Sequence, residues 1–426
     1  MPLEFGTDGV RGVANGELTP ELVLALGRAA ARVLGGPFVI GRDTRRSGPL
    51  LQAAFSSGVA SEGADVVDLG VLPTPGVAFA SAGRDCPGAV VSASHNPFPD
   101  NGIKLFAPGG RKLTDQEEDT LEEELRRLAG GEGGGLRPTG ADVGRLSTDA
   151  ALVEDYAAHL VATLEGRTLD GLHVVVDCGH GAASAVAPGV VRSAGAKVEV
   201  IGAEPDGTNI NAGGGSTDLG SLRRAVVDQG AAVGLAFDGD ADRLLAVDER
   251  GGVVDGDHLI ALCALDLRGR GALAGDTVVV TVMTNLGFRL AMEQAGVAVH
   301  ETPVGDRHVL AALDANGWSL GGEQSGHLVF RRLATTGDGL LTGLQLLDLL
   351  ARSGRPLSEL AAAAMTPVPQ VLRNVRVAAR VDAAAAAAIA PSVAAEQARL
   401  GGTGRVLVRP SGTEPVVRVM VEAETE

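Results

Sequence analysis

Aromatic side chains are nearly absent: one Trp, one Tyr and nine Phe in 426 residues. Hydrophobic residues still make up 45% of the chain, so its cores are expected to be built from Ala, Val and Leu. Cysteine is as scarce. Cys86, Cys178 and Cys263 are too few for a disulfide framework in so long a chain and lack metal-ligand spacing, which predicts reduced, buried thiols. Basic charge is also short, 36 Lys and Arg against 53 Asp and Glu, for a net −17. That balance argues against nucleic acid or anionic membrane as a partner, since both demand a basic face. Any anionic substrate must then be held by local arginines. No apolar run approaches the roughly 20 residues of a membrane span, and the polar, glycine-bearing stretch Met1 to Gly12 is unlike a secretory signal. The expectation is a soluble cytoplasmic protein.

What the chain does have is alternation. Short β-branched runs (Phe38-Val39-Ile40, Ala64 to Leu69, Gly88 to Val91, Val174-Val175-Val176, Val198 to Ile201, Val233 to Phe237, Thr277 to Val282) alternate with longer Ala/Leu stretches. This is an α/β signature with mostly parallel, buried strands. Three times a strand runs into a polar or glycine turn and then a helix, at Gly41-Arg42-Asp43, Asp177-Cys178-Gly179 and Thr284-Asn285. The spacing suits three similar α/β units. Such a length exceeds one core. Breakers at Gly130 to Gly135, Arg352 to Pro356 and Thr366 to Pro369 suggest domains at 1–145, 146–245, 246–358 and a smaller unit at 359–426. In that last unit Asp382 reads as an N-cap ahead of the helix-favouring Ala383 to Ala388.

Four strings carry chemistry. The run Val91-Ser92-Ala93-Ser94-His95-Asn96-Pro97 closes a strand, where open α/β sheets present reactive groups. Taken alone it also reads as a plain turn, and Lys104 adds a cation or an acid/base group. Asp238-Gly239-Asp240-Ala241-Asp242-Arg243 places three carboxylates on alternate residues, which converge as hard oxygens suited to Mg²⁺. A calcium loop is the rival, but its sixth position needs glycine and holds Arg243, and the flanks are strand-like. Gly321-Gly322-Glu323-Gln324-Ser325-Gly326-His327 offers Glu323 and Ser325 to sugar hydroxyls, and His327 reads equally as a packing residue. Arg409-Pro410-Ser411-Gly412-Thr413-Glu414, between two strands, makes a phosphate cradle or a simple β-turn. Arg11, in a glycine-bordered and flexible segment, is placed to clamp a phosphoryl group.

In this order the strings resemble the α-D-phosphohexomutase superfamily from Phe5 to about Glu422. Gln324, Gly412, Glu414 and Met283-Thr284-Asn285 resemble its glucosamine-phosphate branch. Cys178-Gly179-His180-Gly181, Gly213-Gly214-Gly215 and Pro99 depart from the family pattern without removing a proposed ligand. The resemblance implies three related mixed α/β domains and a smaller C-terminal α+β domain of the TATA-binding-protein-like type around a central cleft. It implies phosphoserine at Ser94, and Mg²⁺ held by Asp238, Asp240, Asp242 and a phosphate oxygen on Ser94. Arg11, Lys104 and Arg243 would line the transfer site, and His95 and Asn96 would brace the serine loop. Glu323, Ser325 and His327 would face the sugar, and Arg409, Ser411, Gly412 and Thr413 would grip the second phosphate. The implied activity is interconversion of glucosamine 6- and 1-phosphate, primed by a sugar 1,6-bisphosphate, in amino-sugar nucleotide and cell-wall precursor synthesis. The choice of base stays open between Lys104 and His327, and the oligomeric state between monomer and homodimer. Glucose or mannose phosphates are the alternative substrates; a non-catalytic sugar-phosphate or calcium binder is the alternative of another class.

Overall fold

The computed structural model describes residues 9–131, 137–377, 383–410 and 416–423. Its first sheet contains β1 (Val10–Val13), β2 (Phe38–Arg42), β3 (Val66–Val71), β4 (Gly88–Val91), β5 (Asp100–Ala107), β6 (Arg111–Lys112) and β7 (Leu146–Thr148). The order is β1-β5-β4-β2-β3-β7, with β6 pairing β5. β4, β2, β3 and β7 run parallel, while β5 lies antiparallel between β4 and β1. The second sheet, in order β12-β11-β10-β8-β9, uses β8 (His173–Asp177), β9 (Lys197–Ile201), β10 (Val233–Phe237), β11 (Leu244–Asp248) and β12 (Val253–Val254). The third, in order β14-β13-β15-β16, uses β13 (Thr277–Thr281), β14 (Ala298–Thr302), β15 (Leu320–Gly322) and β16 (Leu328–Phe330). In each, parallel strands are flanked on one side by an antiparallel strand.

The expected boundaries after 145 and 245 cut across these sheets. β7 returns to pair with β3, and β11 and β12 complete the sheet that holds β10. In terms of strand pairing the first unit runs through Thr148 and the second through Val254. Composition misplaces both joints because breakers mark turns, and a turn can lead back into the same sheet.

β4, β10 and β13 are buried along their whole length, as strands covered by helices on both faces must be. The helix Gly339–Ser353 is buried from Gly339 to Leu350. Its leucines join one continuous core running from Val39 of the first unit to Met365 of the third. Leu347 is fully buried there, and cutting it to Ala would cost about 2–5 kcal/mol. The helix therefore packs into a core shared by the three units. All three cysteines are free and buried.

The smaller unit pairs β17 (Gln370–Arg376), β18 (Arg405–Pro410) and β19 (Val416–Glu422) antiparallel in the order β17-β19-β18, with the helix Ala383–Leu400 against them. The expected cap at Asp382 lies outside the described residues. Arg405 docks this unit: its Nη1 and Nη2 donate to the carbonyls of Val282 and Thr284 at 2.9 and 2.8 Å, and its Nε to the buried Glu422 at 2.8 Å.

Candidate active site

The serine loop leaves β4 at Val91 and reaches β5 at Asp100. Ser94, 1% exposed, has φ 52°, a left-handed backbone that a serine seldom adopts. Its N–H donates to Ser92 Oγ at 2.9 Å, and Ser92 Oγ donates to Asp43 Oδ2 at 2.7 Å. From the second unit, Asn211 Nδ2 donates to the Ser94 carbonyl at 2.9 Å. So held, Ser94 Oγ donates to Asp238 Oδ2 at 2.5 Å, across 144 residues of sequence.

Asp238, Asp240 and Asp242 occupy the turn between β10 and β11, whose register closes at Phe237 opposite Leu244. The turn is a β-hairpin, which disposes of the helix–loop–helix that a calcium loop requires. All three carboxylates are buried, and each offers an oxygen within 4.8 Å of the others. Lys104 Nζ donates to Asp240 Oδ2 at 2.6 Å and to Asp242 Oδ2 at 3.2 Å, and Thr74 Oγ1 donates to Asp240 Oδ2 at 2.6 Å. Desolvation, followed by the charges of Asp242 and Asp240, drives the Asp238 carboxyl well above its ordinary pKa. Desolvation pushes Asp242 up as well, yet Lys104, His327 and Arg243 together outweigh it and hold Asp242 well below the usual carboxylate range. Asp240 Oδ1 and Asp242 Oδ1 are buried with no hydrogen-bond donor among the described residues, and Arg243 Nε lies 3.8 Å from the latter. Buried carboxylate oxygens are rarely left so. Orphaned hard oxygens in an acidic trio fit a hard divalent cation.

The loop Glu323–His327 joins β15 to β16 as a tight turn, with Gly326 N–H donating to Glu323 O at 2.9 Å. It lies on the aspartate hairpin, because Leu244 N–H donates to Gly326 O at 3.0 Å. Glu323 Oε1 accepts from Gly305 N–H at 3.0 Å, and Ser325 is exposed. His327 is buried between Asp242, 3.8 Å from Nδ1, and Asp306, 3.5 Å from Nε2. Burial would lower its pKa, but the nearby charge of Asp242, with Asp306 and Glu323 behind it, outweighs burial and raises it. Gly337 makes room for the ring: a Cβ there would come within 2.3 Å of Nε2.

Arg243 Nη1 lies 3.2 Å from His95 Nδ1, which is 3.5 Å from Ser94 Oγ. Desolvation, then the Arg243 and Arg11 charges, lower the His95 pKa. Asn96 Nδ2 donates to Asp100 Oδ2 at 2.9 Å within the loop. Arg11 departs from expectation: it belongs to the ordered edge strand β1, opposite Gly102 of β5, because the paired ladder fixes backbone that glycines alone would leave loose. Arg409 stands opposite Arg418 in the β18–β19 ladder. Desolvation first, then Arg418, lower its pKa, and Glu323 opposes them. Ser411, Gly412, Thr413 and Glu414 lie outside the described residues.

Phosphoglucomutase/phosphomannomutase models match the chain in four consecutive pieces: α/β/α domain I at residues 2–130, domain II at 154–252, domain III at 255–368 and the C-terminal domain at 372–426. A protein of Frankia alni named phosphoglucosamine mutase is 57% identical, over 99% of this chain and 94% of its own length. The chain belongs to the phosphoglucomutase/phosphomannomutase family. Another relative, phosphoglucosamine mutase of Rhodococcus opacus, is 54% identical, over 98% of this chain and 95% of its own. Among solved structures, a phosphoglucomutase/phosphomannomutase family protein from Burkholderia thailandensis superposes with a TM-score of 0.81 at 26% identity, covering 99% of this chain and 93% of that one. N-acetylphosphoglucosamine mutase of Aspergillus fumigatus, solved with GlcNAc-6P and magnesium, shares the fold at TM-score 0.68 and 20% identity, covering 99% and 92%.

Within this phosphohexomutase frame, sequence reasoning missed Asp43, Arg45, Ser92, Thr74, Asn211 and Asp306. Asp43 stood in plain view as the end of a strand–turn–helix repeat, but its hydrogen bond to Ser92, 49 residues away, has no local signal. No described helix is long and apolar enough to cross a membrane.

Proposed function

We propose that the chain is a phosphoglucosamine mutase that interconverts glucosamine 6-phosphate and glucosamine 1-phosphate through phospho-Ser94 and a sugar 1,6-bisphosphate. One observation carries this reading: Ser94 Oγ lies 2.5 Å from Asp238, in a carboxylate trio that already faces Lys104. The names borne by relatives at 54–57% identity support the substrate. In the forward direction the Oγ–P bond of phospho-Ser94 breaks as a P–O1 bond forms on glucosamine 6-phosphate, and the O1 proton passes by way of Lys104 or His327 to the freed Ser94 Oγ. The bisphosphate then turns over, its P–O6 bond breaks as an Oγ–P bond forms on Ser94, and the hydroxyl proton of Ser94 ends on O6.

A phosphoserine carries about −1.5 to −2 charge, and three carboxylates alone would repel it at low dielectric. Asp238, Asp240 and Asp242, with a phosphate oxygen at Ser94, would hold Mg²⁺, which supplies neutralisation of the phosphoryl charge. Lys104, Arg11, Arg243 and His327 add positive charge around the same site. At the far end Arg409 and Arg418, like charges facing each other across a ladder, are unfavourable unless an anion joins them. That supports the reading of Arg409, Ser411, Gly412 and Thr413 as the grip on the phosphate at rest, with Glu323 and Ser325 toward the sugar. We place the protein in the cytoplasm.

Intact mass should show a phosphorylated fraction that Ser94→Ala abolishes together with turnover, and an active Ser94→Ala protein would overturn the carrier role. Coupled assays on glucosamine, glucose and mannose 6-phosphates, started with trace sugar bisphosphate, test the substrate. A preference for glucose or mannose phosphate would reassign the chain within its family.

A further inference from the structure

We infer that Arg45, acting with Asp43 and Ser92, is the positioning device that fixes the Ser94 hydroxyl against the aspartate trio. The inference rests on the carrier reading of Ser94. Arg45 is among the largest fully buried side chains of the molecule, and its guanidinium has five N–H donors. All five are spent on two targets. Nε donates to Asp43 Oδ2 at 2.8 Å. Nη1 donates to the carbonyls of Pro97 and Asp100 at 2.6 and 3.0 Å, and Nη2 to those of Ser94 and Asn96 at 2.9 and 2.8 Å. Four carbonyls of the serine loop thus point at one buried cation. Asp43 is bonded through both oxygens, taking Arg45 N–H at 2.9 Å on Oδ1 and Ser92 Oγ at 2.7 Å on Oδ2. Ser92 Oγ in turn accepts the Ser94 N–H.

Two consequences follow for the chemistry. The first is geometric. A serine in the left-handed region costs of order 1–3 kcal/mol and persists only where its surroundings over-determine it. Arg45 supplies that excess of restraint, and its turn also grips the unit that carries the trio: Thr44 Oγ1 donates to His180 O at 2.5 Å and Arg46 N–H to Gly207 O at 2.8 Å. Serine and carboxylates therefore share one anchor. The second is electrostatic. Four carbonyl oxygens engaged by a buried guanidinium have their negative ends neutralised there, so they oppose a dianion on Oγ less than free carbonyls would. With every N–H occupied, Arg45 has none left for substrate. It acts through Ser94, and its loss should change the rate of transfer and not the binding of sugar phosphate.

The test uses the full-length protein. Arg45→Lys keeps the charge against Asp43 but offers three donors in place of five. We expect kcat to fall about 100-fold, the effect of roughly 1 Å of misplacement, with KM for glucosamine 6-phosphate within about twofold of the parent. Ser94 should be phosphorylated by sugar bisphosphate proportionately more slowly in a single turnover. Ser92→Ala leaves the five Arg45 bonds in place and removes only the hydroxyl beneath the Ser94 amide. It should lower kcat about tenfold at unchanged KM, and it decides the matter if Arg45→Lys does not fold. A folded Arg45→Lys protein with kcat within threefold of the parent, or a loss confined to KM, would overturn the inference. So would an undiminished kcat in Ser92→Ala. If Ser94→Ala is inactive in either event, the carrier reading survives; an active Ser94→Ala protein sinks that reading whatever Arg45 does.

Discussion

The serine loop and the aspartate hairpin face each other, and each contains a non-glycine residue with a left-handed backbone, Ser94 at φ 52° and Ala241 at φ 55°. Their polar atoms are treated in opposite ways. Around Ser94 the carbonyls and the amide find partners inside the protein. Around Asp240 and Asp242, carboxylate oxygens are buried without a donor among the described residues. The difference separates two kinds of site. Complete satisfaction makes a rigid scaffold that delivers one hydroxyl to one place, whereas buried hard oxygens without donors are what a cation from outside the chain would complete.

Asp240→Asn strikes the second kind directly. Turnover should fall by at least about 100-fold, and calorimetric titration should show Mg²⁺ affinity largely lost. The parent should melt higher with Mg²⁺ than with chelator, by about 2.7 kcal/mol of stability at a hundred times Kd. An equal gain in the variant would move the metal seat elsewhere. Gly239→Ala attacks the join between the loops, because its Cβ would come within 2.5 Å of the Ser94 carbonyl. Pushing the loops apart should reduce kcat about 10- to 100-fold and stability by about 1–3 kcal/mol, read from steady-state kinetics and urea unfolding. Unchanged kinetics would mean that the contact yields without moving Oγ.

Gly337→Ala sharpens the contrast from the third unit by displacing the His327 ring. We expect a loss of about tenfold in kcat, seen as a shifted pH–rate profile; a profile like the parent's would reduce His327 to packing. The smallest effect concerns a buried acid away from the trio. Desolvation raises Asp257 to about 7, against the opposing hydrogen bond from Asn285 N–H. The folded state therefore holds this proton more tightly than the unfolded chain, whose carboxylate titrates near 4. The stabilisation is complete below about pH 4 and is lost as pH rises to about 7. Asp257→Asn should flatten the fall in melting temperature over that window, and an unaltered slope would assign it to other groups.

Much of this architecture was legible as pattern. Continuous apolar runs such as Val233 to Phe237 and Thr277 to Thr281 announced doubly covered strands, and carboxylates at 238, 240 and 242 announced a converging acidic cluster. What escaped was pairing at a distance. Nothing local marks Arg45 for the carbonyls near 94–100, Thr74 for Asp240 or Asp306 for His327, since each depends on which strand ends meet. The backbone around Arg11, expected to be flexible, was misread for the same reason, its partner β5 lying some 90 residues away.

By itself the sequence determined which groups are available: a hydroxyl after a strand, three alternating carboxylates, a glycine-rich turn, and cores of small aliphatic residues. Those follow from periodicities of two and 3.6 residues, which act over a few positions. Tertiary structure alone decided that Ser94 meets Asp238, that the serine is held left-handed from beneath, and that two carboxylate oxygens are left bare. Burial, hydrogen-bond saturation and charge coupling are properties of groups brought together from hundreds of residues apart, and only the packed units bring them within reach.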